Sequence, residues 1–510
     1  MVTVESELNF DASLEQRDGR DGPRTEPSRP GRKWLWSNSA WSGDVAAGLL
    51  LFLDFFAVLG AGLLADVLDS LGGGDRLRGR LAGSLICAIA VLQVNQQFKH
   101  YDPALARRTL PMIDRLLTGM IIAFAYVGAI AYLIDAPVTY PSAWKVRLCV
   151  LSFVFLLSGR LLFNLVIDRL GRRRLLTRNI VIVGAGAHGQ MLIDQLERSG
   201  LPWTRILCIF DDRARSPEAR TPKRVKGRYP VIGTTRDLLP FSQKFRVDDV
   251  FIALPWSAEN RINEVLNTVQ VIPANIHLFP DALRLSLASR QVSAMDGIPV
   301  VTMMNKPVSG WGYLAKVALD KLLATIGFIV LLPFLAVVAL LIKLDSKGPV
   351  LFRQPRLGFN NKIMYIYKFR SMYSEQSDVA ADKLATRDDP RITKIGRILR
   401  KLSIDELPQL VNVIRGDMSL VGPRPHALKA KAAGHLYHEI VSGYALRHKI
   451  KPGITGWAQV SGWRGETDTE EKIIRRVECD LFYMNNWSVL FDLYILLMTV
   501  LKVPFHKNAY

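Results

Sequence analysis

Hydrophobic segments long enough to enter a lipid bilayer alternate with long polar stretches, and this alternation restricts the fold more than any other feature of the sequence. The first third of the chain holds four apolar runs, at Asp44–Val67, Leu81–Phe98, Leu116–Ile134 and Leu148–Val166. As a helix rising 1.5 Å per residue, each run covers about 30 Å of hydrocarbon. The sequence therefore predicts a membrane protein with a four-helix transmembrane bundle at residues 41–170.

The composition agrees with a chain that has both membrane-embedded and water-facing parts. A hydrophobic content of 49% is high for a soluble protein, whereas 22% charged residues is too many for a purely intramembrane one. The net charge of +20 favours an anionic partner such as lipid headgroups or a phosphorylated substrate. Nucleic acid is not an expected partner, because the basic residues flank apolar segments and no nucleic-acid-binding signature is present. Residues 1–40 are polar, which predicts a disordered tail.

The distribution of Lys and Arg predicts the orientation of the bundle. Basic residues cluster before the first run, between the second and third runs, and after the fourth. In a four-helix bundle these three segments lie on one side, which should be the cytoplasm. Asp54 and Asp66, within the first run, are expected near helix ends or facing other helices rather than acting as a proton relay.

A glycine-rich turn follows the bundle. A strand-like run, Ile180–Val183, leads into a G-x-G-x-x-G pattern and then a helical one, and a second strand-like run ends about 20 residues later. This layout predicts a Rossmann-like α/β domain at residues 175–305, kept either for nucleotide binding or for packing, oligomerisation or regulation. The residues that would form the nucleotide site are Gly184, Gly186, Gly189 and Asp211.

A fifth apolar run, Leu322–Ile342, has basic residues on both flanks and a proline, Pro333, near its middle. Basic flanks favour the cytoplasmic face at both ends, and proline removes a backbone hydrogen bond and kinks a helix. We therefore predict a re-entrant membrane helix over residues 315–344 rather than a straight fifth span.

The remaining polar segment places an adjacent pair of carboxylates, Asp405 and Glu406, among many cations. Those predicted to bind substrate are Lys368, Arg370, Arg400, Arg424, Lys451 and Arg464. Arginine forks and glycine-rich turns suit phosphate oxygens, and two carboxylates beside a phosphate suit Mg²⁺, with both acids as metal ligands. An ionised carboxylate is also able to attack phosphorus directly. In the alternative interpretation, Ser403-x-x-Glu406 is a helix capping box without a catalytic role.

The segments "GPVLFRQPRLG", "YKFRSM", "DELPQLVNVIRGDMSLVGPRP" and "KPGITGWAQVSG" resemble the bacterial sugar transferase family, the polyprenyl-phosphate hexose-1-phosphate transferases. The resemblance implies a monotopic α/β catalytic domain at residues 310–510, and the front end resembles large members that initiate exopolysaccharide synthesis. It implies transfer of a hexose-1-phosphate, with glucose expected, from a UDP-sugar to undecaprenyl phosphate with release of UMP. Asp405 would be the nucleophile and Glu406 its partner, with Mg²⁺ as cofactor.

The same resemblance implies a location in the bacterial inner membrane, with the catalytic domain on the lipid bilayer and facing the cytoplasm. A homodimer and contacts with downstream glycosyltransferases are further expectations. Two other functions are considered: an NAD-dependent nucleotide-sugar dehydratase or epimerase, and a non-catalytic assembly scaffold. The first usually needs a Tyr-x-x-x-Lys pair, which no tyrosine here begins. The intact carboxylate pair argues against the second.

Overall fold

The structure is a computed structural model. It describes residues 43–70, 77–98, 100–101, 109–133, 141–172, 177–199, 203–215, 224–280, 293–295, 298–373, 389–427, 431–432, 435–441, 443–463, 465 and 469–502. All of these residues belong to one unit, Asn38–Tyr510. The predicted disordered tail, residues 1–40, lies outside the described residues.

The four apolar runs of the first third are all helices. They are α1 (Gly43–Ser70), α2 (Leu77–Gln97), α3 (Thr109–Leu133) and α4 (Ser142–Arg172). Helix α1 packs against α2 and α4, and α2 packs against α3. Their shared core contains small and medium-sized side chains such as Ala61, Ala88 and Leu116, which allow the helices to approach closely. The four helices therefore pack together, while the bounds of the transmembrane bundle stay a prediction.

By length and apolarity, four helices of the described chain qualify as candidate membrane spans. They cover Val45–Asp69, Met112–Leu133, Ser142–Leu170 and Gly310–Asp345. Helix α2 is not among them, because arginines at its start and amide side chains at its end leave only a short apolar centre. Three of the four predicted bundle helices therefore qualify as candidate spans, and the remaining candidate is the C-terminal helix that contains Pro333.

Both aspartates of α1 face other helices, as expected. Arg160 on α4 donates to Asp54 at 2.6 Å, with both side chains fully enclosed. The indole N–H of Trp144 donates to Asp66 at 2.7 Å. Because a charge in hydrocarbon is costly without a partner, these pairs fix the rotation of α1 against α4.

The middle of the chain forms a mixed eight-stranded sheet with helices beside it. Its strands are β1 (Arg178–Val183), β2 (Thr204–Phe210), β3 (Arg224–Val225), β4 (Tyr229–Gly233), β5 (Asp249–Ile252), β6 (Asn275–Leu278), β7 (Ser293–Met295) and β8 (Ile298–Met304). The helices are α5 (Ala187–Ser199), α6 (Leu238–Lys244) and α7 (Glu259–Val269). The spatial order is β3-β4-β2-β1-β5-β6-β8-β7, in which β4, β2, β1, β5 and β6 are parallel. Each strand that the sequence predicts in this region is present.

The C-terminal part begins with one long helix and continues as short elements around a hairpin. The elements are α8 (Gly310–Asp345), β9 (Leu351–Leu357), β10 (Ile363–Phe369), α9 (Lys394–Leu402), a 3₁₀ helix (Ile404–Gln409), α10 (Leu410–Arg415), β11 (Ser419–Val421), β12 (Lys431–Ala432), β13 (His435–Leu436), α11 (Tyr437–Ile440), a second 3₁₀ helix (Tyr444–Lys449), β14 (Gly453–Thr455), α12 (Trp457–Val460), α13 (Glu470–Asn485) and α14 (Val489–Lys502). Strands β9 and β10 pair antiparallel, and β11 pairs with β14 in parallel.

Helix α8 continues through Pro333 without interruption and contacts the C-terminal elements on both sides of it. Before the proline, Asp320 accepts hydrogen bonds from the Ser419 hydroxyl at 2.7 Å and the Leu420 N–H at 3.1 Å. After the proline, Asp345 accepts from the Ile395 N–H at 3.2 Å. Apolar side chains between these contacts are solvent-exposed, including Val330 at 70%. The helix thus presents an uncovered apolar surface between two anchored ends.

Candidate active site

The two adjacent carboxylates lie on a sharp turn between α9 and α10. Helix α9 ends at Ser403, whose backbone is left-handed (φ 56°, ψ 24°). The chain then enters the 3₁₀ helix that carries Asp405 and Glu406 in its first turn. The side chain of Ser403 makes no cap hydrogen bond there, so the capping-box interpretation of Glu406 is wrong.

Glu406 is held by two cations that come from distant segments. The Lys368 ammonium, near the end of β10, donates to Oε1 at 2.8 Å. The Arg424 guanidinium, which follows β11, donates to Oε2 at 3.0 Å and to Oε1 at 2.5 Å. Burial by itself would raise the pKa of Glu406, but Arg424 and Lys368 outweigh it and hold the pKa well below its usual range. Glu406 is therefore an ionised carboxylate with both oxygens engaged.

Asp405 is enclosed but lacks this pairing. The residue is only 9% exposed. Burial raises the pKa of Asp405 to about 6; Lys368, Arg400 and Arg424 oppose this rise and the Glu406 charge adds to it. Within the described part of the chain, no hydrogen bond to its carboxylate is found. At neutral pH Asp405 is thus mostly ionised, poorly solvated and available to an incoming group, as a nucleophile needs to be.

The other cations predicted to bind substrate do not all lie beside the carboxylate pair. Arg400, on α9, is close enough to lower the pKa of Asp405. Arg370 instead donates to the Ser346 carbonyl at 2.7 Å and so closes the C-terminal end of α8. Lys451 lies beside Gly416, and the carboxylates that act on it are Asp320 and Asp417, not the predicted pair. Arg464 lies outside the described residues.

Two glycine-rich segments pack backbone to backbone and so fix the position of Arg424. The Gly422 N–H donates to the Thr455 carbonyl at 2.9 Å, and the Gly453 N–H donates to the Pro423 carbonyl at 3.0 Å. A Cβ at Gly453 would lie 2.1 Å from the Gly422 nitrogen. The turn around Gly453, in the segment "KPGITGWAQVSG", is one of the glycine-rich turns that the sequence predicts to suit phosphate oxygens. In the structure the Gly453 N–H donates to the neighbouring segment and not to a free site.

A buried arginine, Arg447, supports the same loop and was missed by the sequence analysis. It is 1% exposed, donates to the Arg424 carbonyl at 2.7 Å, and pairs with Asp480 at 2.6 Å. His426 is part of this cluster and bonds the Tyr444 hydroxyl at 2.8 Å. The partners are 18 to 33 residues apart in the chain, and no local pattern connects them.

A second missed cation, Arg356, lies beside the carboxylate pair on β9. Burial and the neighbouring Arg424 lower its pKa to about 10, and Glu406 only partly offsets this. The sequence segment "FRQPRLG" contained an indication of this cation. Residues two apart on a strand share a face, which places Arg356 on one face of the predicted strand together with Gln354.

The carboxylate pair also allows a test of the Mg²⁺ expectation. No group of three or more His, Cys, Asp or Glu side chains capable of holding a metal occurs among the described residues. Mg²⁺ often takes only one or two carboxylates and completes its shell with water and substrate phosphates. Asp405 supplies oxygens without a hydrogen-bond partner, whereas those of Glu406 are already bonded to cations. The donor set fits Mg²⁺ that arrives with a phosphate, with Asp405 the more available ligand.

The glycine-rich turn that the sequence predicts as a nucleotide site is tightly packed at Gly184 and Gly189. Gly184 has φ +112°, a Cβ at Gly189 would lie 2.1 Å from the Gly184 carbonyl oxygen, and Gly186 faces open space apart from Arg213. Asp211 accepts from the Ala185 N–H at 2.9 Å and from Arg213 at 2.8 Å. Burial would raise the pKa of Asp211, but these donors lower it. Its oxygens are therefore bound within the protein rather than open to a ribose.

Comparison with known proteins covers most of the chain. Residues 311–506 match the family described as bacterial sugar transferase, and residues 96–280 match a CoA-binding domain. The chain is 39% identical over 335 residues to the UDP-glucose:undecaprenyl-phosphate glucose-1-phosphate transferase of Escherichia coli (strain K12), covering 65% of this chain and 69% of that protein. The enzyme of the same name from Xanthomonas campestris pv. campestris is 32% identical over 389 residues, covering 76% of this chain and 79% of that protein. The undecaprenyl-phosphate glucose phosphotransferase of Komagataeibacter xylinus is 38% identical over 338 residues, which are 66% of this chain and 61% of that protein.

Proposed function

The chain belongs to the bacterial sugar transferase family, and on that premise we propose that it transfers glucose-1-phosphate from UDP-glucose to undecaprenyl phosphate and releases UMP. The names of the relatives supply the reaction class and the choice of glucose. One structural observation carries the proposal for this chain. A buried, unbonded carboxylate, Asp405, lies next to a carboxylate, Glu406, that two cations hold in its ionised form.

This asymmetry supports a two-step transfer through Asp405. In the first step an oxygen of Asp405 attacks the phosphorus that carries the sugar. A new O–P bond forms, the bond from phosphorus to the bridging oxygen breaks, and its electron pair leaves with UMP. In the second step a phosphate oxygen of undecaprenyl phosphate attacks the same phosphorus. The O–P bond to Asp405 breaks, which restores the free carboxylate, and no proton or redox partner is needed.

The cations have a separate task from the nucleophile. Lys368 and Arg424 fix Glu406 and place positive charge beside Asp405, where phosphate oxygens have to lie during the attack. Mg²⁺, held by Asp405 and Glu406 together with substrate phosphate, would supply further charge neutralisation when bound. Arg400, on the neighbouring helix, adds to the same positive potential.

We also propose that α8 enters and leaves the same face of the bilayer. The two flanks of Pro333 contact different elements of the same C-terminal part of the chain, β11 at Asp320 and α9 at Asp345. A straight span would place those flanks on opposite sides of the membrane. Pro333 lacks the N–H that would donate to Ile329, which is where a helix bends most easily. Reporter fusions before Lys316 and after Lys347 should therefore report the same, cytoplasmic side; opposite sides would exclude the re-entrant arrangement.

The middle domain is proposed to be Rossmann-like. Its parallel strands lie in the order third, second, first, fourth and fifth along the chain, which is the order of dinucleotide-binding sheets. Nucleotide binding at Gly184, Gly186, Gly189 and Asp211 stays a prediction, as do the inner-membrane location, the homodimer and the contacts with downstream glycosyltransferases.

The decisive experiment measures UMP release by the full-length protein in lipid nanodiscs. UDP-glucose, UDP-galactose and other UDP-sugars are offered with and without undecaprenyl phosphate. We expect multiple turnovers with UDP-glucose and the lipid, and at most one equivalent of UMP per protein without the lipid. Absence of UMP with every donor, or many equivalents without the acceptor, would contradict the proposed transfer.

A further inference from the structure

The β9–β10 hairpin presents a further cation, Arg356, on the same side as Lys368. Arg356 pairs with Met364, and Phe352 pairs with Lys368. Side chains directly opposite each other share a face of the sheet, as do residues two apart on a strand. Arg356 and Lys368 therefore project from one face of the hairpin, the face on which Lys368 contacts Glu406.

Arg356 forms no ion pair with a carboxylate in the described part of the chain. Its Nη2 donates to the Gln354 amide oxygen at 2.5 Å, while its Nε is buried without an acceptor among the described residues. The nearby carboxylate, Glu406, is already bonded to Lys368 and Arg424. Among the described residues, four cations therefore lie near the two carboxylates, which leaves two positive charges in excess: Arg356, Lys368, Arg400 and Arg424. A partly buried guanidinium whose Nε lacks an acceptor is stabilised when an anion pairs with it, so this arrangement favours an anionic ligand.

The position of the hairpin also indicates the side from which that ligand approaches the site. Phe369, at one end of the hairpin, packs against Leu335, Val338 and Ile342 of the membrane helix α8. Arg356 lies five residues along β9 from that end, roughly 17 Å at 3.3 Å per residue. Beyond it, at the tip of the hairpin, Asn360 donates to the Ser242 carbonyl of the middle domain at 2.8 Å. With α8 in the bilayer as proposed above, Arg356 would lie on the side of the site away from the bilayer.

We propose that Arg356 binds the phosphate of the nucleotide part of the donor, the phosphate that leaves as UMP. This inference rests on the proposed transfer reaction and assigns one residue within it. The nucleotide approaches from water and the lipid acceptor from the bilayer, so the position of Arg356 selects the former. When the bridging bond breaks, negative charge grows on the departing phosphate, and a guanidinium there stabilises it.

The test compares Arg356→Gln with Arg353→Gln in nanodiscs. Arg353 lies on the same strand but on the opposite face, exposed and stacked over Tyr365 at 3.8 Å, so its variant is the matched control. Loss of a charge-assisted bond should raise KM for UDP-glucose and weaken UMP binding by roughly ten- to a hundredfold. Uridine binding and KM for undecaprenyl phosphate should change less than about twofold, because neither ligand contacts Arg356.

The outcomes separate this inference from the reaction itself. If the wild type releases no UMP, the proposed transfer fails and Arg356 loses its assigned ligand. If the wild type is active and Arg356→Gln binds UMP as tightly as the control, only the assignment to Arg356 is overturned. A rise in KM for the lipid alone would assign Arg356 to the acceptor phosphate and equally overturn the inference. Should Arg356→Gln fail to fold, Arg356→Lys takes its place. Because lysine keeps the positive charge, this variant should bind UMP more tightly than it binds uridine.

Discussion

The environments of Asp405 and Glu406 predict that neutralising these neighbours changes stability in opposite directions. The pKa of Asp405 is about 6 in the folded protein against an ordinary 3.8, so the folded state binds this proton more tightly than the unfolded state. Stability is therefore lost as pH rises from about 4 through 6, and the loss stays constant above that range. At 1.36 kcal/mol per pKa unit it amounts to about 3 kcal/mol at pH 7.5.

Asp405→Asn removes this cost and should abolish transfer, since the amide is not a comparable nucleophile. We expect the melting temperature in metal-free buffer at pH 7.5 to rise by roughly 6 to 12 °C, because 1 kcal/mol corresponds to about 2 to 4 °C in a domain of this size. About half of the free-energy gain should remain at pH 5. Adding Mg²⁺ should stabilise the wild type but not this variant.

Glu406→Gln is the matched control. It breaks a buried ion pair with Lys368 and Arg424, a loss that typically costs about 3 to 5 kcal/mol. Its melting temperature should fall by at least about 6 °C at pH 7.5. Differential scanning fluorimetry in nanodiscs and UMP release measure both variants. Turnover above about 1% in Asp405→Asn (a loss of less than 3 kcal/mol in barrier terms), or a lower melting temperature for it, would refute the reasoning.

Three further predictions follow from the same structure. The rate of the first step should fall as pH drops through about 6, to roughly a tenth at pH 5, because protonated Asp405 is not nucleophilic; single-turnover UMP release between pH 5 and 8 measures this. Lys368→Met should lower kcat/KM by at least about a hundredfold, whereas Lys451→Met should change it by less than about threefold. Of these two lysines, only Lys368 contacts Glu406. Equal losses in the two variants would contradict the distribution of cations described above. Gly189→Ala should destabilise the middle domain by more than about 2 kcal/mol, because the added Cβ would clash with a carbonyl oxygen. Gly186→Ala should change the stability by less than about 1 kcal/mol. Limited proteolysis compares the two variants, and equal sensitivity would contradict the loop geometry.

Interactions within a short stretch of chain were predictable. The four bundle helices follow from apolar length alone, since hydrocarbon imposes a fixed span on any helix that crosses it. The strand before Gly184 and the one ending at Phe210 follow from the glycine pattern and its spacing. The exception in the bundle is α2, whose polar ends leave an apolar centre too short to qualify as a candidate span.

Contacts between distant segments were not predictable in the same way. Lys368 and Arg424 lie 38 and 18 residues from Glu406, and their shared contact exists because the left-handed residue Ser403 turns the chain and the glycine-rich segments hold Arg424 in place. Arg370 is an equally suitable residue type at an equally suitable position in the sequence, yet its side chain hydrogen-bonds the C-terminal end of α8.

The sequence by itself determined which chemistry was available: two neighbouring carboxylates, an excess of cations and a helix able to enter lipid. Only the tertiary structure decided how those groups differ, because burial and pairing are properties of packing. Asp405 and Glu406 are identical in charge and adjacent in the chain, but one is enclosed without a donor and the other is held by two. That difference, and not the residue types, separates the proposed nucleophile from its partner.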